Sequence, residues 1–319
     1  MELNLFTFGE RFPTEDACYS RVMQVYWPNG PICITCGSVS VYASKTRRMF
    51  KCKDCGRQFS PLSGTIFQDT HLPLRKWFLA AYLLSADGIA ANQLYRRIGV
   101  TKKTAWFLVQ RIMGAMEDAN LVLEGPVQID EMYVGPKSRG RTSARYSNKY
   151  AVIGGVEDKP NGRMVVEVVK QPDATVAMDF IRRRIKPGSV ITTDDSRIYH
   201  NLKHQYQHET INHSARQYVV NGVTTNRMEN GWMHGKRLIK GHHIRVSGKH
   251  LSTYVAGGHQ FRFNVRGNTD EERFNAWLGQ TRGVVLTYRQ LLAKKPTKPL
   301  ALRGWARKRA KLPVQTSLF

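Results

Sequence analysis

Four of the five cysteines fall into two Cys-x-x-Cys pairs, Cys33 with Cys36 and Cys52 with Cys55, separated by fifteen residues. Two such knuckles place four thiolates around one tetrahedral Zn²⁺, and this spacing is that of a zinc ribbon. Gly37 and Gly56 each follow the second cysteine of a pair, where a tight turn favours a residue that tolerates positive φ. Phe50 and Phe59 flank the second knuckle and would cover the metal with apolar surface. With all four positions filled by the protein, the zinc is expected to be structural rather than catalytic. Two redox pairs are the alternative chemistry, in a chain without a thioredoxin-like βαβ pattern around them. Cys18 stands apart as a buried or free thiol.

A second constellation is acidic, in a chain that is otherwise basic. Lys and Arg number 49 against 24 Asp and Glu, a net charge of +25. Between Glu209 and Asp270 there are nine Lys or Arg, and Glu229 is the only acid. Asp130 lies in the β-rich run QIDEMYV, Asp194 ends the run VITTD, and Glu229 begins the helical stretch NRMENGWMHGK. If these runs share a sheet, the strands of Asp130 and Asp194 can lie side by side, with the first turn of the helix over them. Three converging carboxylates repel one another unless a cation is present. An all-oxygen donor set favours Mg²⁺ or Mn²⁺, and such ions activate a water or a 3′-hydroxyl against a phosphodiester. A solvated surface Glu is the bland alternative for Glu229. Glu131 and Asp195 adjoin the chosen acids; neighbours on a strand point to opposite faces, so only one of each pair is expected to serve. Asn226 and Asn230 read as cap or turn residues.

The elements that would carry these residues follow in order. Residues 30–65 are rich in Gly, Ser, Thr and Lys, with short β-prone pieces. Residues 74–116 turn helical in three pieces, with Gly99 as a stop signal and Thr101 as an N-cap. That pattern reads as a helix-turn-helix or, failing that, an ordinary helical connector. From Pro126 come three β-rich runs (VQIDEMYV, YAVIGGV, MVVEVV), then the helical ATVAMDFIRRRI and the run SVITTD. A segment with the β-prone QYVV follows, then an amphipathic stretch from about 226 to 240 interrupted by Gly231 and Gly235. From Arg273 onward there are eleven Lys or Arg and no acid. The sequence reading divides the chain at 1–68, an N-terminal arm and zinc ribbon; 69–120, DNA-binding helices; 121–268, an α/β catalytic domain; and 269–319, a basic tail.

The words IDEMYVG, TTDDSRIY and TNRMENGWMHGKRLIKGHH resemble the DDE transposases of bacterial insertion sequences, of the type with an N-terminal zinc ribbon. The spacing agrees, with 35 residues from Asp194 to Glu229 and Lys236 seven further on. The resemblance covers most of the chain. It implies a ribonuclease-H-like mixed sheet with flanking helices, and it assigns Asp130, Asp194 and Glu229 as catalytic ligands of Mg²⁺ or Mn²⁺. It implies Lys236 as a contact to transposon-end DNA. Arg237, Lys240, Lys102 and Lys103 are further candidates for DNA contact. Implied substrates are the inverted repeats of the element and target DNA, cleaved and joined by a homo-oligomer on that DNA.

Charge and composition agree with a polyanionic partner. An anionic membrane surface or a packaging role would draw on the same charge. No apolar run is long enough to span a membrane. The first residues lack a signal-peptide pattern, so a cytoplasmic, nucleoid-associated protein is expected. No GxxxxGK[ST] loop supports an ATPase and no HExxH a metalloprotease. A DNA-binding regulator with an inert catalytic domain, or a junction-resolving nuclease of the same fold, are the rival functions.

Overall fold

The computed structural model describes residues 2–44, 48–135, 149–211, 225–243 and 246–293. The QYVV run and the basic end of the chain from 294 lie outside them. The chain forms two compact units. One takes in the described residues of Met1–Ala119, Leu238–Ile244 and Ala256–Lys294, the other those of Asn120–Arg237 and Arg245–Val255.

The first unit opens with α1 (Phe8–Arg11) and α2 (Glu15–Tyr26). A three-stranded antiparallel ribbon follows: β1 (Val41–Ala43), β2 (Phe50–Cys52) and β3 (Gln58–Phe59). Phe50 faces Phe59 across β2 and β3, and Trp27 meets both rings edge-on. The three expected helices are α3 (Leu74–Ala86), α4 (Ala91–Ile98) and α5 (Lys102–Ala115). Gly99 ends α4 in the left-handed conformation at φ 61°, and the Thr101 hydroxyl accepts from the Thr104 N–H to start α5. The unit closes with α8 (Gln260–Asn264), α9 (Asp270–Gln280) and α10 (Tyr288–Ala293).

The α9 helix falls where the sequence reading places a basic tail from 269. Its cause is local and tertiary at once. Thr269 and Glu272 form a reciprocal capping box. Phe274, Trp277 and Leu278, spaced to share one face, are fully buried against the helices before them. Phe274 packs on Phe78 and Phe12, and Trp277 on Phe67. Each such side chain contributes about 2 kcal/mol of burial, which outweighs the basic composition downstream.

The second unit is a mixed five-stranded sheet. Its strands are β4 (Val127–Val134), β5 (Tyr150–Glu157), β6 (Met164–Val169), β7 (Val190–Asp194) and β8 (Gln207–Ile211), in the spatial order β6-β5-β4-β7-β8. The first three are antiparallel neighbours, while β7 runs parallel to both β4 and β8. Helix α6 (Ala174–Arg184) covers one face over Val127, Ile129, Ile153, Val165 and Ile191. Helix α7 (Asn226–Arg237) packs on β4 and β5. It runs unbroken through Gly231 and Gly235, where the sequence reading expects interruptions. Both glycines are buried, so the close packing of the helix absorbs their low propensity, a cost of roughly 1 kcal/mol each. The fifth strand, QHETI, is another departure: the β signal in the sequence lies only ten residues later.

Candidate functional site

The zinc-ribbon cysteines come together as their spacing predicts. The ligand atoms of Cys33, Cys36, Cys52 and Cys55 all lie within 4.8 Å of one another. The Sγ atoms of Cys33 and Cys55 are 3.6 Å apart, as are those of Cys36 and Cys52. A tetrahedron with Zn–S bonds of about 2.3 Å has edges of about 3.8 Å, so the cluster is sized for zinc. Gly37 and Gly56 adopt φ of 74° and 69°, and each donates its N–H to the carbonyl of the first cysteine of its pair. The backbone N–H of Cys36 points at the Cys33 sulfur and holds that thiol down at about 6; the N–H of Cys55 lowers Cys52 in the same way. Amides aimed at sulfur favour the thiolate that a metal needs.

The carboxylates gather in the sheet unit. β4 and β7 pair in parallel with Val127 beside Ile191 and Gln128 beside Thr192. Two residues further along each strand come Asp130 and Asp194, close enough for the second to raise the first. The pleat sorts the side chains of β4. Val127 and Ile129 join the core under α6, while Gln128 and Asp130 contact α7. Glu131 follows the α6 face and accepts a hydrogen bond from the buried Tyr199 hydroxyl. Asp195 lies just past the end of β7 and is exposed.

The charges feel one another. Burial, with repulsion from Asp194 and Glu229, pushes the Asp130 carboxyl up to about 6, against hydrogen bonds that favour the anion. Burial likewise raises Glu131 to about 7, with Asp130 and Asp194 adding to it. The acids are not drawn together as closely as the four sulfurs, which form the sole cluster that tight among the described residues. Half-buried Asp130 and Asp194, with the exposed Glu229 near enough to raise Asp130, form an oxygen-donor set whose repulsion a hard divalent cation offsets, so the residues present fit Mg²⁺ or Mn²⁺.

What fixes Glu229 relative to Asp130 is the seating of α7. The side-chain carbonyl of Gln128, fully buried on β4, accepts from the backbone N–H of Arg227 at 3.0 Å and of Met228 at 3.1 Å. A strand residue thus satisfies N–H groups that a helix start leaves open. Arg227 forms an ion pair with Asp158 at the end of β5, and the Trp232 indole donates to Asp130. Sequence reasoning misses Gln128. A cap supplied from 99 residues away leaves no local pattern to find.

The candidate DNA contacts are exposed. Lys236 and Arg237 sit in the last turn of α7; Lys236, seven residues after Glu229, shares its helix face. Lys240 is exposed in the π-helical turns at Leu238–His243. Lys102 and Lys103 occupy the first turn of α5, with Lys102 over the Tyr95 ring and Lys103 over Tyr288. Cations at a helix N-terminus oppose its dipole by roughly 0.3–1 kcal/mol each. No described helix is long and apolar enough to cross a membrane.

Two family models match the chain. Residues 122–264 match the ISXO2-like transposase domain, and residues 13–58 match the transposase zinc-ribbon domain. A protein encoded in transposable element ISH50 of Halobacterium salinarum is 30% identical over 263 residues, spanning 76% of this chain and 89% of the relative. Among solved structures, the Drosophila P element transposase strand transfer complex aligns at 12% identity and a TM-score of 0.26, over 65% of this chain and 60% of that one. A simian T-cell lymphotropic virus intasome, in complex with a PP2A regulatory subunit, aligns at 15% identity and a TM-score of 0.23, over 75% and 77%.

Proposed function

The chain belongs to the ISXO2-like transposase family, and on that premise we propose that it binds the inverted repeats of its own element and catalyses their cleavage and transfer to target DNA. The observation that carries this reading is the convergence of Asp130, Asp194 and Glu229 on one unit, close enough for two of them to raise the third. In it, these three acids would hold Mg²⁺ or Mn²⁺. A divalent cation bound there supplies charge neutralisation and an activated oxygen nucleophile for phosphodiester chemistry. Asp130 and Asp194 present their carboxylates from neighbouring parallel strands, and Glu229 presents its own from the first turn of α7. Lys236 and Arg237 supply positive charge to hold phosphates next to the acids, and Lys240 is a further phosphate contact. Lys102 and Lys103 bind end DNA at the start of α5, and the zinc ribbon adds to end recognition. The division of labour is then 1–120 for DNA reading and 121–268 for chemistry, in a homo-oligomer assembled on DNA in the cytoplasm.

The test is Glu229→Gln in a strand cleavage and joining assay on a plasmid bearing the element's ends, with Mg²⁺. The amide keeps the shape and removes the charge, so turnover should fall by orders of magnitude while DNA binding persists. Cleavage at the wild-type rate would refute the triad as assigned; no cleavage by the wild-type protein itself, with DNA binding intact, would favour a DNA-binding regulator.

A further inference from the structure

Trp232 is 2% exposed and lies three residues after Glu229, so the two are neighbours on the surface of α7. Its Nε1–H donates to Asp130 Oδ2 at 3.0 Å. The ring rests on β5 where Gly154 pairs with Asp130. A Cβ at Gly154 would stand 2.5 Å from Trp232 Cη2, 2.6 Å from Met228 Cε and 2.9 Å from Val166 Cγ1. Gly154 has an ordinary backbone conformation, so the glycine is there for space. The strand beside Asp130 is hollowed to admit an indole that reaches its carboxylate.

We propose that Trp232 is a positioning residue, whose indole N–H fixes the orientation of the Asp130 carboxylate and locks it to the helix that carries Glu229. This rests on the reading of Asp130 as a cation ligand. Hydrophobic packing alone would need the ring but not its nitrogen. Orientation needs the N–H, because a carboxylate held by a donor presents one defined edge to a metal, and partners of this kind are worth about 10- to 100-fold in metal affinity.

The experiment uses the full-length, zinc-loaded protein freed of other divalent ions, with Mn²⁺ as the probe and free Mn²⁺ followed by electron paramagnetic resonance. Wild type is compared with Asp130→Asn and with protein in which 3-benzothienylalanine replaces Trp232, the same bicyclic shape with sulfur in place of N–H. Trp232→Phe is read alongside, in case the analogue protein does not fold. Expected is an Mn²⁺ affinity about 10- to 100-fold weaker in the analogue, with a cooperative melt retained and a loss of uptake in Asp130→Asn. Wild-type affinity in the analogue and in Trp232→Phe, with Asp130→Asn weakened, overturns the positioning role and leaves the site reading standing. Asp130→Asn indistinguishable from wild type overturns the site reading, and this proposal with it.

Discussion

Without divalent ions, Asp130→Asn should make the protein more stable, and only above a defined pH. The Asp130 carboxyl is raised from 3.8 to about 6 by burial and by Asp194 and Glu229. Ionising it in the fold therefore costs about 3 kcal/mol more than ionising it in the unfolded chain. The folded state keeps this proton to higher pH than the unfolded chain does. Wild-type stability falls accordingly as pH rises from about 4 to about 6, then levels off. Glu131, raised to about 7 mainly by burial, extends the decline; Asp130 is a smaller cause of that rise, so the substitution relieves it in part. Asparagine removes the charge, and its amide oxygen still accepts from Trp232. Its own burial cost reduces the gain, leaving about 1–3 kcal/mol at about pH 8 and little at about pH 4.5. At roughly 2–4 °C per kcal/mol for a unit of this size, the melting midpoint should rise by about 2–12 °C. Circular dichroism melts of both proteins at the two pH values, in chelating-resin-treated buffer, supply the comparison. Added Mg²⁺ should raise wild type toward the variant. An Asp130→Asn gain of the same size at both pH values, or no gain at either, would refute the electrostatic account.

Two other expectations can be checked on purified protein. Elemental analysis should find one zinc per chain, and Cys36→Ser should lose it and loosen the ribbon while the sheet unit keeps its own unfolding transition; protein with no zinc at all would contradict the sulfur geometry. Lys102→Ala with Lys103→Ala should weaken binding to every DNA tested and flatten the plot of log affinity against log salt, by about one in slope for each phosphate the protein no longer neutralises; an unchanged slope would show that neither lysine touches phosphate.

The sequence displayed whatever was local. Cys-x-x-Cys spacing, the Thr101 cap, the Gly99 stop and the three apolar runs 127–134, 150–157 and 164–169 each carry their signal within a few residues. The family resemblance and the isolation of Glu229 single out Asp130, Asp194 and Glu229, and Asp130 is raised in part by the other two. Strand β8 was hidden because Gln207, His208, Glu209 and Thr210 are polar, and a strand that pairs on one side among the described residues needs no apolar alternation. The continuity of α7 was hidden because Gly231 and Gly235 weaken an isolated helix and serve a packed one. Gln128 reads as one polar residue in a strand, and its task appears only when α7 arrives beside it.

The helical unit is discontinuous in the chain, and this has a consequence for synthesis. Phe12, Phe67 and Phe78 are made early, but the α9 side chains that cover them, Phe274 and Trp277, come some 160 residues after the unit's first segment ends at Ala119. At about 5–20 residues per second, a nascent chain carries that apolar surface uncovered for about ten to thirty seconds while the sheet unit is being made. A copy of the gene broken by a frameshift anywhere before α9 thus loses more than its end. The complete N-terminal segment it still encodes lacks the helix that finishes its core. A chain stopped at residue 255 should leave 1–119 open to limited protease, although every residue of that segment is present; resistance equal to the full-length protein would show that the early helices close by themselves.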